Sequence, residues 1–187
     1  MRLIATALVL SIAGTTFAGD PLPGGQPAAA SAPAPAPAPA PAKPCHGANW
    51  RAFDFWIGTW DVYGRNGTLV GTNTIEPVLD GCALREHWRN ANGQVEGFSF
   101  SLYDGLRREW VQYWVDNSGG TLVLTGQRTD GTMDLRGERP NPATGRSQKQ
   151  RVRWIPGDDG SVRQWWETSD DNGATWQTSF DGTYRRR

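Results

Sequence analysis

From residue 58 onward, hydrophobic and polar residues alternate in short segments, and no helical spacing recurs there. Alternation over about four to eight residues is typical of β-strands, because successive side chains of a strand point to opposite faces. The pattern predicts ten strands, at about 58–65, 68–78, 82–90, 95–104, 108–116, 120–128, 131–138, 148–156, 161–169 and 174–185.

The breaks between these segments carry turn residues. Asn-Gly, Asp-Gly or Ser-Gly begins at positions 66, 80, 92, 104, 118, 130 and 159. Tight hairpins favour such dipeptides because their central residues need positive φ. So many short connections predict an antiparallel meander, and closing it into a barrel would remove its exposed edges. The longest break, 138–147, contains Pro140 and Pro142 and predicts a loop.

A short helix is predicted just before the first strand, at 49–56. Trp50, Phe53 and Trp56 recur there at helical spacing, and Asn49 is a suitable N-cap. The stretch 53–61, F-D-F-W-I-G-T-W-D, places four large aromatic side chains around the start of the first strand.

The residues before the domain predict export. Residues 1–18 have a positive Arg2, an apolar run and small residues before a cleavage site, as a secretory signal peptide does. Residues 19–44 are nearly all Ala, Pro and Gly, which favours an extended, semi-rigid spacer. We therefore expect a periplasmic or extracellular chain, with no transmembrane segment once the signal is removed. Residues 45–187 would form one domain, which the spacer holds off an envelope surface.

Charge, cysteine and histidine content limit the partners, disulfides and metal sites that can be expected. The chain has 19 basic and 19 acidic residues, interleaved, which argues against nucleic acid as a partner. Cys45 and Cys82 are the two cysteines, and in an oxidising compartment they are expected to pair, with two free thiols as the alternative. No metal site is expected, because the chain has two histidines and no Cys-x-x-Cys spacing.

A candidate ligand site comes from the faces of the third and fifth strands. Glu86 and Trp88 share one face, and Trp110, Gln112 and Trp114 share another. Tryptophan walls with a few placed polar groups are how small-molecule sites are built. A carboxyl group in apolar surroundings would also suit a general acid or base.

Each of these features has a structural alternative. Glu86 could pair internally with Arg153 or Arg163, or bond to Gln112. The ten tryptophans could simply fill the barrel. His87 lies on the face opposite Glu86 and is expected at the surface. Residues 116–119 predict a turn, with its carboxylate as an alternative weak cation ligand.

Gly58-Thr59-Trp60 on a first strand resembles the Gly-x-Trp signature of lipocalins and their calycin relatives, in which the Trp closes the barrel base, often under a late Arg. Arg153, Arg163 and Arg185 are candidates for that arginine. A wider resemblance, to a family of small secreted bacterial proteins, rests on F-D-F-W-I-G-T-W-D-V, G-C-A-L-R-E-H-W, G-F-S-F-S-L-Y-D, W-V-Q-Y-W-V-D, G-T-M-D-L and R-Q-W-W-E-T-S-D-D-N-G-A-T-W. It implies a lipocalin-like or fatty-acid-binding-like barrel of about ten strands, and it assigns no catalytic residue.

Two further resemblances concern cofactors and local structure. Nitrobindin-like haem barrels open similarly but place a haem-ligating His near the C-terminus, where this chain has none, so no haem or other cofactor is expected. Ser169-x-Asp171-x-Gly173-x-x-Trp176 matches the Asp-box of sialidase propellers. A single copy is expected to be a structural hairpin between the last two strands.

The sequence thus predicts an exported, calycin-like barrel that holds a small hydrophobic or aromatic molecule. Trp88, Trp110 and Trp114 would form the wall of its site, with Glu86 and Gln112 as polar anchors. The alternatives are a cavity enzyme that uses Glu86 as its acid or base, and a filled barrel with a structural or interaction role.

Overall fold

Ten antiparallel strands form a closed barrel in the computed structural model, which describes Gly19 and residues 44–187. Each strand pairs with its neighbours in sequence, and the first strand pairs with the last to close the barrel. This confirms the predicted all-β meander and its closure. The predicted signal peptide, 1–18, and most of the predicted linker, 20–43, lie outside the described residues.

The strands differ from their predicted bounds by three residues at most. They are β1 Gly58–Gly64, β2 Leu69–Val78, β3 Ala83–Asn90, β4 Glu96–Asp104, β5 Glu109–Asp116, β6 Thr121–Thr129, β7 Thr132–Pro140, β8 Ser147–Pro156, β9 Val162–Ser169 and β10 Gln177–Arg186. Two 3-10 helices, Asp54–Trp56 and Leu79–Gly81, complete the described elements.

The predicted helix at 49–56 is only partly formed. Residues 48–53 make turns, and a single 3-10 helix follows at Asp54–Trp56. Its N-cap is Phe53, while the predicted cap, Asn49, instead donates a hydrogen bond to the Tyr103 hydroxyl at 3.2 Å. A regular helix cannot continue because the backbone extends at Ile57 to enter β1. In the described part of the chain, no helix is long and apolar enough to cross a membrane.

The Asp130-Gly131 turn shows why the meander forms. Asp130 has φ 50° and Gly131 has φ 81°, the two positive values that a tight hairpin needs, and Thr129 pairs with Thr132 across it. The predicted loop at 138–147 is shorter than expected. The β7–β8 ladder continues to a Pro140–Ser147 pair, because a proline is tolerated where a strand ends.

One end of the barrel is closed by a cluster of aromatic side chains, which we call the base cluster: Phe53, Trp56, Trp110 and Trp154. Phe53 stacks on Trp56 with ring centroids 4.9 Å apart, and its edge meets Trp154 at 5.1 Å and Trp110 at 5.5 Å. Phe53, Trp56 and Trp154 are fully buried. The aromatic stretch at 53–61 therefore packs into the base of the barrel.

A disulfide joins Cys45 to Cys82, as predicted. Cys82 directly precedes β3, and Cys45 lies a few residues before the base cluster. The bond therefore ties the segment that closes the barrel base to the start of the third strand.

The fourth strand turns its small polar residues inward and its aromatic residues outward. Ser99 and Ser101 are buried, whereas Phe98 is 39% and Phe100 47% exposed. Phe98 stacks on the His87 ring at 4.3 Å on the outer surface. Small residues inside β4 leave room for the large side chains of the strands on either side, which shapes the barrel interior.

Candidate functional site

The end of the barrel opposite the base cluster opens into a cavity of about 420 Å³. Its wall is mostly aromatic and aliphatic, and its floor is polar. The wall includes Trp88, Trp114, Leu122, Leu124, Trp166 and Phe180. The polar groups that line it include Glu86, Gln112, Gln164 and Tyr184.

Strand register brings the wall side chains together. Trp114 on β5 pairs with Leu122 on β6, and across the barrel Trp166 on β9 pairs with Val152 on β8. Each of these residues falls on the inward face of its strand, because side chains alternate between the two faces. Trp166 is held in place by a hydrogen bond from its Nε1 to Gln150 Oε1 at 2.8 Å.

Two glycines make room for two of these tryptophans. A Cβ on Gly97 would overlap the Trp114 ring, and a Cβ on Gly71 would stand 2.5 Å from Cη2 of Trp88. Such distances are far shorter than van der Waals contact, so a side chain at either position would push its tryptophan away. The absence of a side chain at Gly71 on β2 and at Gly97 on β4 therefore leaves room for Trp88 and Trp114 in the cavity wall.

Glu86 lies at the centre of a buried hydrogen-bond network on the cavity floor. Its Oε1 accepts from Asn73 Nδ2 at 2.7 Å, and its Oε2 accepts from Ser99 Oγ at 2.6 Å. Gln112 Nε2 donates to the same Ser99 hydroxyl at 3.2 Å. The Asn73 amide also reaches the Tyr184 hydroxyl at 3.3 Å.

Burial raises the pKa of two groups on the cavity floor, Glu86 and Tyr184. Removal from water disfavours the charged carboxylate and raises the pKa of Glu86 from its usual 4.5 to about 7, although the Ser99 and Asn73 hydrogen bonds oppose the shift. Burial also raises the pKa of Tyr184 well above its usual value, with the nearby Glu86 carboxylate adding to the effect. The tyrosine hydroxyl therefore stays protonated and donates to Gln164 Oε1.

The raised pKa of Glu86 predicts that the protein loses stability as the pH rises. The folded protein keeps the Glu86 proton at pH values where the unfolded chain has released it. The free energy of unfolding should therefore fall between about pH 4.5 and pH 7, by about 3 kcal/mol from this group. Glu86→Gln removes the effect. Relative to the wild type, the variant should gain about 3 kcal/mol across that window in urea unfolding followed by tryptophan fluorescence.

Ser101→Ala is the matched control for this experiment. Ser101 is buried beside the network on β4, and its hydroxyl has no hydrogen-bond partner among the described residues. The substitution leaves Glu86 in place, so its stability curve should run parallel to that of the wild type. If the stability curve of Glu86→Gln also ran parallel to that of the wild type, the prediction that Glu86 keeps its proton in the folded protein would be wrong.

The structure brings together four of the five side chains predicted for the ligand site. Glu86, Trp88, Gln112 and Trp114 all line the cavity. Trp110 does not, since it is buried in the base cluster and its Nε1 donates to the Asn49 carbonyl at 3.1 Å. Four residues of extended strand place it about 13 Å along β5 from Trp114.

Several residues of the site were not predicted from the sequence. Gln164, Trp166 and Tyr184 line the cavity, and Asn73 and Ser99 are the buried hydrogen-bond partners of Glu86. One signal could have found two of them: Gln164-x-Trp166 repeats the Gln112-x-Trp114 pattern of β5. Asn73 and Tyr184 carry no comparable signal, because each is one of several polar residues in its strand and neither belongs to a repeated pattern.

The arginines considered as partners of Glu86 lie elsewhere. Arg153 binds Glu167 at 2.6 Å and Arg163 binds Asp181 at 2.7 Å, both on the outer face. The internal ion pair considered for Glu86 is therefore wrong, and its direct partners are the neutral groups described above. His87 lies on the outer face, as expected, 2.6 Å from Glu96.

Trp60 at the barrel base lies under an arginine that the sequence did not single out. The guanidinium of Arg186 is 4.4 Å from the centre of the Trp60 ring, and it donates to the Ile57 carbonyl at 3.1 Å. The predicted candidates, Arg153, Arg163 and Arg185, are not at this position. The strand pairing explains why, because Arg186 is the residue paired with Trp60 in the β1–β10 ladder.

The Asp-box forms the predicted hairpin between β9 and β10. Asp171 accepts hydrogen bonds from the Thr175 amide at 2.8 Å and from Ser169 Oγ at 2.7 Å. Bonds from Thr175 and Ser169 hold the pKa of Asp171 at about 2. Trp176 Nε1 donates to the Gly173 carbonyl at 3.1 Å, which packs the ring against the turn.

The loop carboxylate of Asp116 also accepts hydrogen bonds from its own turn. It accepts the amides of Ser118 and Gly120 at 3.0 and 3.1 Å and the Trp114 indole at 3.0 Å. These bonds lower the pKa of Asp116 in spite of its partial burial. Across the described residues, no group of three or more His, Cys, Asp or Glu side chains is placed to hold a metal ion.

Comparison with known proteins does not assign the chain to a family. No protein-family model matches its sequence, and no curated protein matches it.

Proposed function

We propose that the barrel binds a small hydrophobic or aromatic molecule in its open cavity. The observation that carries this proposal is a cavity of about 420 Å³ with an aromatic wall and a polar floor. Ligand pockets are typically about 300–1,000 Å³, mostly apolar, with a few placed polar groups. Such a space also favours binding over the filled-barrel alternative.

The barrel is, in this proposal, of the calycin type. Gly58-Thr59-Trp60 lies on β1 directly after a short 3-10 helix, and the Trp60 ring lies under Arg186 at the barrel base. This arrangement supports the resemblance to lipocalins and their relatives. The disulfide between Cys45 and Cys82 supports export, because such bonds are rare in reducing compartments.

The proposal is tested with the neutral dye N-phenylnaphthylamine, whose fluorescence rises in apolar surroundings. The full chain should bind the dye, and Leu122→Trp should weaken binding at least tenfold because Leu122 lines the cavity. The matched control is Val123→Trp, since Val123 is the next residue of β6 and is 47% exposed on the outer face. The control should bind the dye like the wild type.

Dye binding that is absent, or that both tryptophan substitutions weaken equally, would contradict a ligand site inside the barrel. Urea unfolding of both variants separates a blocked cavity from a loss of folding. A cavity variant that is folded and no longer binds the dye supports the proposal.

Acid–base catalysis in the same cavity is the second candidate, favoured by Glu86. Its carboxyl lines the cavity and its pKa is raised to about 7, where a group can both donate and accept a proton near neutral pH. The two candidates differ in their dependence on this residue. Glu86→Gln should change dye binding by only a few fold, whereas turnover that uses Glu86 should fall by roughly 10²–10⁴.

A further inference from the structure

An arginine side chain lines the mouth of the cavity. Arg139 lies near the end of β7, on the inward face that it shares with Met133 and Leu135. Its guanidinium lies 5.0 Å from the centre of the Trp166 ring. An arginine stacked on an aromatic face keeps the edge of its planar group free for hydrogen bonds.

No carboxylate among the described residues neutralises this guanidinium. By contrast, Arg151 and Arg153 on the outer face of β8 both bind the Glu167 carboxylate, at 2.9 and 2.6 Å. For Arg139, no carboxylate of residues 44–187 lies within ion-pair distance, and its buried Nε has no acceptor there. An arginine that lines a cavity and has no carboxylate partner among the described residues can bind an anionic group of a ligand through charge-assisted hydrogen bonds.

The two acidic groups that line the cavity do not fill this role. Asp116 is occupied by the Trp114 indole and by the amides of its own turn. Glu86 is on the floor, where its oxygens accept from Asn73 and Ser99. Within residues 44–187, the cavity therefore has at its mouth a charged guanidinium without a carboxylate partner, and an apolar wall below it.

We infer that the cavity takes a flat apolar carboxylate, whose acid group binds Arg139 and whose body lies between Trp114 and Trp166. This inference rests on the proposed binding function and names the class of ligand. A single guanidinium matches one carboxylate in two parallel hydrogen bonds. A doubly charged phosphate would require a second cation. The apolar body points into the barrel because the wall below the mouth is aromatic and aliphatic.

The inference is tested by competition against bound N-phenylnaphthylamine, with naphthoate and naphthamide as competitors. The two molecules have nearly the same shape and differ in charge. The wild type should prefer naphthoate by about tenfold, the size of a charged hydrogen-bonded pair at a partly exposed site. In Arg139→Gln the ratio of the two affinities should fall to about one, and Arg139→Lys should restore part of it.

Arg136→Gln is the matched control, because Arg136 lies on the outer face of the same strand and pairs with Asp134 at 3.0 Å. It should keep the full preference for naphthoate. A preference that survives Arg139→Gln, or that is missing in the wild type while the dye still binds, would overturn the inference and leave the proposed function standing. Failure of the dye itself to bind would overturn both.

Discussion

Replacing Trp56 by alanine is expected to lower the free energy of unfolding by about 3–5 kcal/mol, as for other large aromatic residues in cores. Trp56 is fully buried, stacks on Phe53 at 4.9 Å and meets Trp154 at 5.3 Å. Its Nε1 has no hydrogen-bond partner among the described residues, so the loss comes from packing. Urea unfolding followed by circular dichroism measures it.

The matched control is Phe55→Ala in the same 3-10 helix. Phe55 is only partly buried, and Arg128 lies 4.9 Å from its ring. Its removal should cost less than about 2 kcal/mol, as is usual for partly exposed positions. Equal losses of stability for the two variants would contradict the prediction that burial in the base cluster makes Trp56 the more costly residue to remove.

The second large effect is expected from removing the disulfide. The Cys45–Cys82 bond closes a loop with a sequence separation of 37 residues. On the chain-entropy account, a loop of this length contributes about 4 kcal/mol by restricting the unfolded chain. The Cys45→Ser, Cys82→Ser double variant should lose about that much stability in urea unfolding at neutral pH.

The wild type in a reducing agent provides the comparison for this prediction. Reduction should lower its stability to that of the double variant, and the reducing agent should leave the double variant unchanged. A loss below about 1 kcal/mol would mean that the unfolded chain is already compact near these residues, so that the bond restricts little.

The strands and turns could be read from the sequence because they depend on near neighbours in the chain. Alternation with a period of two identifies a strand, and dipeptides such as Asp130-Gly131 identify the hairpin that follows it. The helix at 49–56 was less well predicted. The helical spacing of Phe53 and Trp56 reflects their burial at the barrel base and not a continuous helix, and Trp50 is only partly buried, against Tyr103. Tertiary packing of aromatic side chains overrode the local pattern.

The candidate site was predicted in part, and the reason is geometric. Alternation identified the face that Glu86, Gln112 and Trp114 share with their neighbours in each strand. It could not tell Trp110 from Trp114, because both point inward and only their heights along the barrel axis differ. Height depends on the register of all the strands, so the sequence did not show that one tryptophan closes the base and the other lines the cavity.

By itself, the sequence predicted the ten-stranded meander, its closure and the pairing of its two cysteines, because these follow from local periodicity, turn chemistry and the count of available partners. The tertiary structure alone decided what surrounds Glu86 and Arg139. Asn73 and Ser99 reach Glu86 from the strands on either side, each 13 residues away in the chain. Arg139 meets Trp166 from a strand two positions along the barrel. Such contacts join residues that no local pattern connects, because strand register and barrel closure set which side chains meet inside.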